Sequence, residues 1–210
     1  MRPLKIILAV VVAIVLGGGV LVTKTYWWNS WQTDSFQSQF DEFYAVPDPI
    51  VGEVGDIVRQ ERAPDYDVKD GEATRILFVS ETEAGEKRVS GGTVWTPTKA
   101  SAPAQDRRVV AWAHPTLGLG VSCSPSRQSE LNLDPAGIVP GMMAKNWVVT
   151  AADYVGLGTP PQEQTYLIGQ QEARDVINSV RAARNLSDGA AGKQWAVYGH
   201  SQGGHASLWA

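Results

Sequence analysis

The pattern of hydrophobic and polar positions divides the chain into an uncharged run, a polar lead-in and an alternation of strands and helices. Ile6 to Val22 carry no charge over seventeen positions, with Arg2 and Lys5 before them and Lys24 after. As a helix this run spans about 26 Å, slightly short of a ~30 Å hydrocarbon core. Thr23, Tyr26, Trp27 and Trp28 extend it into the interfacial zone that Tyr and Trp favour. A cleaved signal segment usually has a shorter apolar stretch, and no A-x-A site follows Val22. The expectation is therefore an N-terminal transmembrane anchor over residues 1–24, with cleavage as the alternative. The remainder would then be an exported domain, membrane-anchored in the first case and secreted in the second.

Residues 25–72 form an extracytoplasmic lead-in. Phe36, Phe40, Phe43 and Tyr44 recur at helical spacing and predict a short amphipathic helix, which Pro47 and Pro49 end. From Thr74 to residue 210 the pattern is that of a folded domain. Arg75 to Thr82 and Val89 to Thr96 are rich in β-branched residues and flank the polar stretch Glu83–Lys87, which predicts a hairpin. Pro97 to Asp106 is a surface linker. Strands are expected at Arg108–Ala113, Trp147–Ala152 and Gln194–Tyr198, and helices at Ile138–Lys145, Glu172–Leu186 and after Ser201. Ala173, Val176, Ile177, Val180 and Ala183 make one apolar stripe, with Arg174, Asp175, Arg181 and Arg184 largely off it. This alternation implies parallel strands joined by right-handed crossovers.

The chemistry concentrates in Trp195-Ala-Val-Tyr-Gly-His-Ser-Gln-Gly-Gly204. Gly199, His200, Ser201, Gln202 and Gly203 match G-x-S-x-G, with a strand before and a helix after. In that context the serine sits on a strained turn, its hydroxyl lifted above the sheet. Glycine is needed at both ends because a side chain there would crowd the turn. The following helix points N–H groups and partial positive charge at the place where an oxyanion would form.

Length, charge and cysteine count narrow the picture. A chain of 210 residues holds one sizeable domain, expected here over residues 73–210, plus the anchor and lead-in. The net charge of −4 comes with no basic stripe, which argues against nucleic acid as a partner. Cys123 is the lone cysteine, so an internal disulfide is impossible.

Several stretches together carry a narrower likeness. They are Phe43-Tyr44…Pro47 with Gly55-Asp-Ile-Val-Arg59, His114-Pro-Thr-Leu-Gly118, Cys123-Ser-Pro-Ser126, Ala152-Asp-Tyr-Val-Gly-Leu-Gly158, and Ala173–Arg181 running on to the Ser201 turn. In combination they resemble the secretory lipase family of α/β-hydrolases, to which the Candida lipase A-type enzymes belong. The element order is that of the α/β-hydrolase fold, here its N-terminal part up to the nucleophile turn. The resemblance implies a serine-dependent lipase or esterase acting on carboxylic esters, with no metal and no organic cofactor. Ser201 would be the nucleophile. The oxyanion hole would take one N–H from Gln202 and another from the loop His114–Gly118, with Thr116 first in order and Leu117 next. Asp153 and Asp175 would be structural.

One feature departs from the fold's pattern. The triad runs serine, acid, histidine along the chain, yet only nine residues follow Ser201 and none is acidic. The three histidines are His114, in the oxyanion loop, His200, beside the nucleophile, and His205, one helical turn on. The expectation is that the acid and base lie beyond residue 210. These residues alone would then be inactive, with an aggregation-prone strand edge exposed next to the nucleophile. Other serine acyl transfer, peptide hydrolysis, or a non-catalytic tethered binding module are the alternatives.

Overall fold

The computed structural model describes residues 17–30, 32, 36–99, 103–128, 137–186 and 191–210. Packing gathers the chain into two compact units, Met1–Asp41 and Glu42–Ala210. In the first, residues 17–30 are helical. Among the described residues no helix is long and apolar enough to cross a membrane. The anchor expected over residues 1–24 is therefore not found, and most of its uncharged run lies in residues 1–16, outside the described residues. The helix expected through Phe36–Tyr44 is interrupted: residues 36–38 and 41–44 are helical, with a turn between them.

The second unit is built on a six-stranded mixed sheet. Its strands are β1 (Ile57–Arg62), β2 (Gly71–Glu81), β3 (Lys87–Pro97), β4 (Val109–Ala113), β5 (Val148–Ala152) and β6 (Trp195–Gly199), in the order β1-β2-β3-β5-β4-β6. β1, β2 and β3 form an antiparallel meander, and β3 joins antiparallel to β5. β5, β4 and β6 run parallel, with Ala111 opposite Thr150 on one side and Val197 on the other. The hairpin and the three parallel strands lie where the hydrophobic pattern places them. β1 falls inside the lead-in, where Ile57-Val-Arg-Gln-Glu-Arg62 offers too few apolar positions to show an alternation.

Helices α1 (Ile138–Met143), α2 (Gly169–Arg184) and α3 (Gln202–Trp209) connect and cover these strands. α2 and α3 pack on one face, where Ile76, Phe78, Val109, Ala111 and Val148 meet Val176, Val180, Ala183 and Ala206. On the opposite face Val139 and Met143 of α1 join Trp95, Trp112, Val149 and Ala151. With both faces covered, every residue of β4 and β5 is buried, which is why these strands read as continuous apolar runs. β6 is different. It lies at a sheet edge among the described residues, and Trp195, Tyr198 and, on α3, Leu208 and Trp209 are exposed.

α2 corrects one expectation. Asp175 does not lie off the buried stripe but is fully buried. Its carboxylate accepts hydrogen bonds from the Ser80 hydroxyl (2.5 Å), the Val155 N–H (2.8 Å) and Gln171 Nε2 (3.3 Å), so the helix is clamped to β2 and to the loop leaving β5. Burial, the largest influence, raises its pKa to about 7 despite those three donors.

Candidate active site

Parallel strands place their carboxyl ends, and the loops that leave them, along one rim of the sheet. Here those loops begin at His114 after β4, Asp153 after β5 and His200 after β6. The last is a single bend. β6 enters it, α3 leaves it, and Ser201 at its apex has φ 54° and ψ −118°. A non-glycine residue in that region is strained, and such strain persists only where the surroundings enforce it.

What enforces it is visible in the neighbours. A Cβ on Gly199 would lie 2.0 Å from the Gly203 carbonyl oxygen, and Gly203 itself backs onto the carbonyls of Ala113 and His114. The Gly203 N–H donates to His200 O at 2.9 Å and the His205 N–H to Ser201 O at 3.0 Å, which closes the first turn of α3 directly on the bend. Ser201 is left exposed on the rim, as the G-x-S-x-G reading requires.

The structure brings Gln202 and Thr116 together. The Gln202 side chain is buried, and its Oε1 accepts a hydrogen bond from the Thr116 hydroxyl at 3.2 Å. Thr116 Oγ1 is also 3.0 Å from the Tyr166 hydroxyl, on the loop that leaves β5. On its other side Gln202 donates from Nε2 to Glu172 Oε1 at 2.7 Å. Glu172 is completely buried near the start of α2. It further accepts the Leu167 N–H at 2.8 Å and faces His205 Nδ1 at 3.4 Å. Gly118, Leu119, Tyr166 and Gln202 border a small recess on this rim.

None of the three imidazoles is hydrogen-bonded to the Ser201 hydroxyl. His114 is buried against the Tyr154 ring, with Nδ1 2.7 Å from Pro115 O and Nε2 3.3 Å from Asp153 O. Burial pushes its pKa down. His200 is exposed. His205 is held between Glu172 and Trp209, whose indole N–H donates to His205 Nε2 at 3.1 Å.

Asp153 works below the rim. Its carboxylate accepts the Ser124 hydroxyl (2.7 Å), the Ser126 N–H (3.0 Å) and the Ser126 hydroxyl, and Tyr44 reaches the same Ser126 hydroxyl. Arg127 lies over the Tyr44 ring at 4.7 Å and donates to Gly158 O at 3.0 Å. This buried network pins the long excursion after β4 to the start of the loop after β5. Burial is the largest influence on Asp153 and raises its pKa, while its serine donors oppose it.

Sequence reasoning missed Glu172 and Tyr166. A glutamate in the first turn of a helix is ordinarily explained by the helix dipole alone. Nothing in the local pattern marks it as buried or as facing a glutamine thirty positions on.

The sheet order, the crossovers and the strained bend between β6 and α3 define an α/β-hydrolase fold. Within it, residues 124–210 match the secretory lipase family model, so the resemblance carried by the motifs is borne out. Lipase A of Moesziomyces aphidis is 22% identical over 183 residues, covering 81% of this chain and 38% of that protein. Candida antarctica lipase A in its closed state superposes with a TM-score of 0.66 at 19% identity, over 80% of this chain and 40% of that one. The rice cell wall degrading esterase LipA from Xanthomonas oryzae does so with 0.60 at 20% identity, over 75% and 45%. The chain thus spans about two fifths of the length of the relatives it matches.

Proposed function

We propose that these residues form the nucleophile-bearing part of an exported carboxylic ester hydrolase, a lipase or esterase, that works through an acyl-enzyme at Ser201. The observation that carries the reading is the backbone of Ser201, at φ 54° and ψ −118° between a strand and a helix, with the side chain exposed. The secretory lipase match and the esterase and lipase names of its relatives support the substrate class.

In this reading Ser201 Oγ attacks the ester carbonyl carbon as its proton passes to a histidine. The carbonyl oxygen becomes an oxyanion, held by the N–H of Gln202 and an N–H of the His114–Gly118 loop, Thr116 first. The protonated histidine then delivers that proton to the leaving alcohol as its C–O bond breaks. Water repeats the sequence against the acyl-enzyme and releases the acid. In the same proposal the histidine and its acid partner are supplied from outside these 210 residues, in keeping with none of His114, His200 and His205 being hydrogen-bonded to the Ser201 hydroxyl. Residues 6–22 supply the membrane tether in the same proposal, resting on their sequence alone.

The test is covalent labelling with a fluorophosphonate of the protein expressed from its complete open reading frame. Labelling is expected in the wild type and lost in Ser201→Ala. Undiminished labelling of the variant would end the reading.

A further inference from the structure

A set of side chains behind Ser201 is wired in one direction. The Oε1 of buried Glu172 accepts the Leu167 N–H at 2.8 Å, and as an acceptor it takes a donor in the atom 2.7 Å away on Gln202. That fixes the Gln202 amide with Nε2 toward Glu172 and Oε1 toward Thr116, because the flipped amide would set two oxygens against each other. Gln202 Oε1 can then only accept, so the Thr116 hydroxyl donates to it at 3.2 Å. The Thr116 proton is now committed, and the Tyr166 hydroxyl at 3.0 Å donates to Thr116 Oγ1. His205 follows the same logic. Its Nε2 accepts from the Trp209 indole, so Nδ1 carries the proton that faces Glu172 Oε2.

Three pieces of chain thereby converge on one carboxylate: the loop after β4 through Thr116, the loop after β5 through Tyr166 and Leu167, and α3 through Gln202 and His205. The residues expected to supply the two oxyanion N–H groups come from different elements, and their side chains touch each other as links of this chain. A catalytic donor must be held within a fraction of an ångström of its productive position, because small misplacements cost large factors in rate.

We infer that Glu172 is a positioning residue for ester hydrolysis, locking Thr116 and Gln202 into a single oxyanion-binding arrangement; this rests on the proposed function of Ser201. It touches no reacting atom and acts through the Gln202 amide. A glutamine in its place can keep its oxygen toward the Leu167 N–H and Gln202 Nε2, but its amide nitrogen then faces the Nδ1 proton of His205, so the clash breaks the lock on the α3 side.

Steady-state hydrolysis of p-nitrophenyl butyrate by the protein from its complete open reading frame tests the inference. Glu172→Gln and Gln202→Met are each expected to lower kcat about tenfold or more while KM stays within about twofold. Because both disturb the same network, the double variant should be no slower than the worse single variant by more than about twofold. Thr116→Val, at the more exposed end of the chain, gives the same kcat loss without touching the buried carboxylate, should Glu172→Gln fail to fold. Multiplicative losses in the double variant, or wild-type kcat in both Glu172→Gln and Thr116→Val while Ser201→Ala is dead, would overturn the inference and leave the esterase reading standing. Absence of Ser201-dependent turnover in the wild type would overturn both.

Discussion

A Cβ atom on Gly203 would lie 1.8 Å from the carbonyl oxygen of Ala113, the last residue of β4. The first turn of α3 is thus pressed against the end of the neighbouring strand with no room for a methyl group. A Cβ on Gly204, one residue on, would meet only the Gly199 backbone at ordinary contact distance, its oxygen at 3.6 Å and its carbonyl carbon at 4.0 Å. The two adjacent glycines should therefore respond in opposite directions. Gly203→Ala is expected to cost about 3 kcal/mol or more of folding stability, because backbone must move to admit it. Gly204→Ala replaces a helical glycine by the best helix former, and a gain of about 0.5–1 kcal/mol is expected. Urea unfolding of the two single variants checks both.

Strain at residue 201 gives a second outcome. A non-glycine residue at φ 54° and ψ −118° stores roughly 1–3 kcal/mol, and glycine adopts that region freely. Ser201→Gly removes the strain but adds about 0.5–1 kcal/mol of unfolded-state entropy. The net expectation is a variant about 1 kcal/mol more stable than the wild type and devoid of fluorophosphonate labelling. Ser201→Ala keeps the Cβ and the strain, so its stability should stay within about 0.5 kcal/mol of wild type. Equal stability of the glycine and alanine variants, measured by urea unfolding, would count against a strained bend.

These two residues also show what a linear reading reaches. Gly199, Ser201 and Gly203 are legible because a local steric demand writes itself into adjacent positions. The hairpin of β2 and β3 and the doubly buried β4 and β5 are legible because burial on one or both faces has its own periodicity. Strand β1 was hidden because a half-exposed edge strand needs few apolar residues. Asp175 was misread because a buried carboxylate with three donors looks, along the chain, like any other acidic position on a helix. Thr116 and Gln202 are each legible in their own segment, a loop and the start of a helix. That they touch, and that Glu172 stands behind them, is a tertiary fact with no local signature.

The network around Asp153 ties the segment Ser124–Arg127 to the loop leaving β5, and so supports the rim from below. Asp153→Ala strands the Ser124 hydroxyl and the Ser126 N–H in a buried site and leaves the Ser126 hydroxyl with Tyr44 as its partner. Unpaired buried donors cost about 1–3 kcal/mol each, partly offset because the variant no longer buries a carboxyl group. A net loss of about 3 kcal/mol in urea unfolding is expected. A loss below 1 kcal/mol would mean the network orders the loop without stabilising the domain.

Asp175 makes stability depend on pH in a direction opposite to most carboxylates. Its pKa stands near 7 in the folded protein, against an ordinary value of 3.8, with burial as the largest cause. Between those values the folded state holds a proton that the unfolded chain has released, so raising the pH draws the equilibrium toward unfolding. This contribution is fully present below about pH 4 and is lost as pH rises through about 7. Complete loss corresponds to roughly 4 kcal/mol, an upper limit for a group that keeps three donors when charged. Asp175→Asn retains an acceptor for the Ser80 hydroxyl or the Val155 N–H but cannot titrate. The stability of the wild type minus that of Asp175→Asn should therefore fall steadily from pH 4.5 to 7.5. Urea unfolding of both proteins at unit intervals across that range reads the difference directly, with other titrating groups cancelling. A difference that stays flat, or that grows with pH, would show that Asp175 is charged in the folded state well below neutrality and that its three donors outweigh its burial.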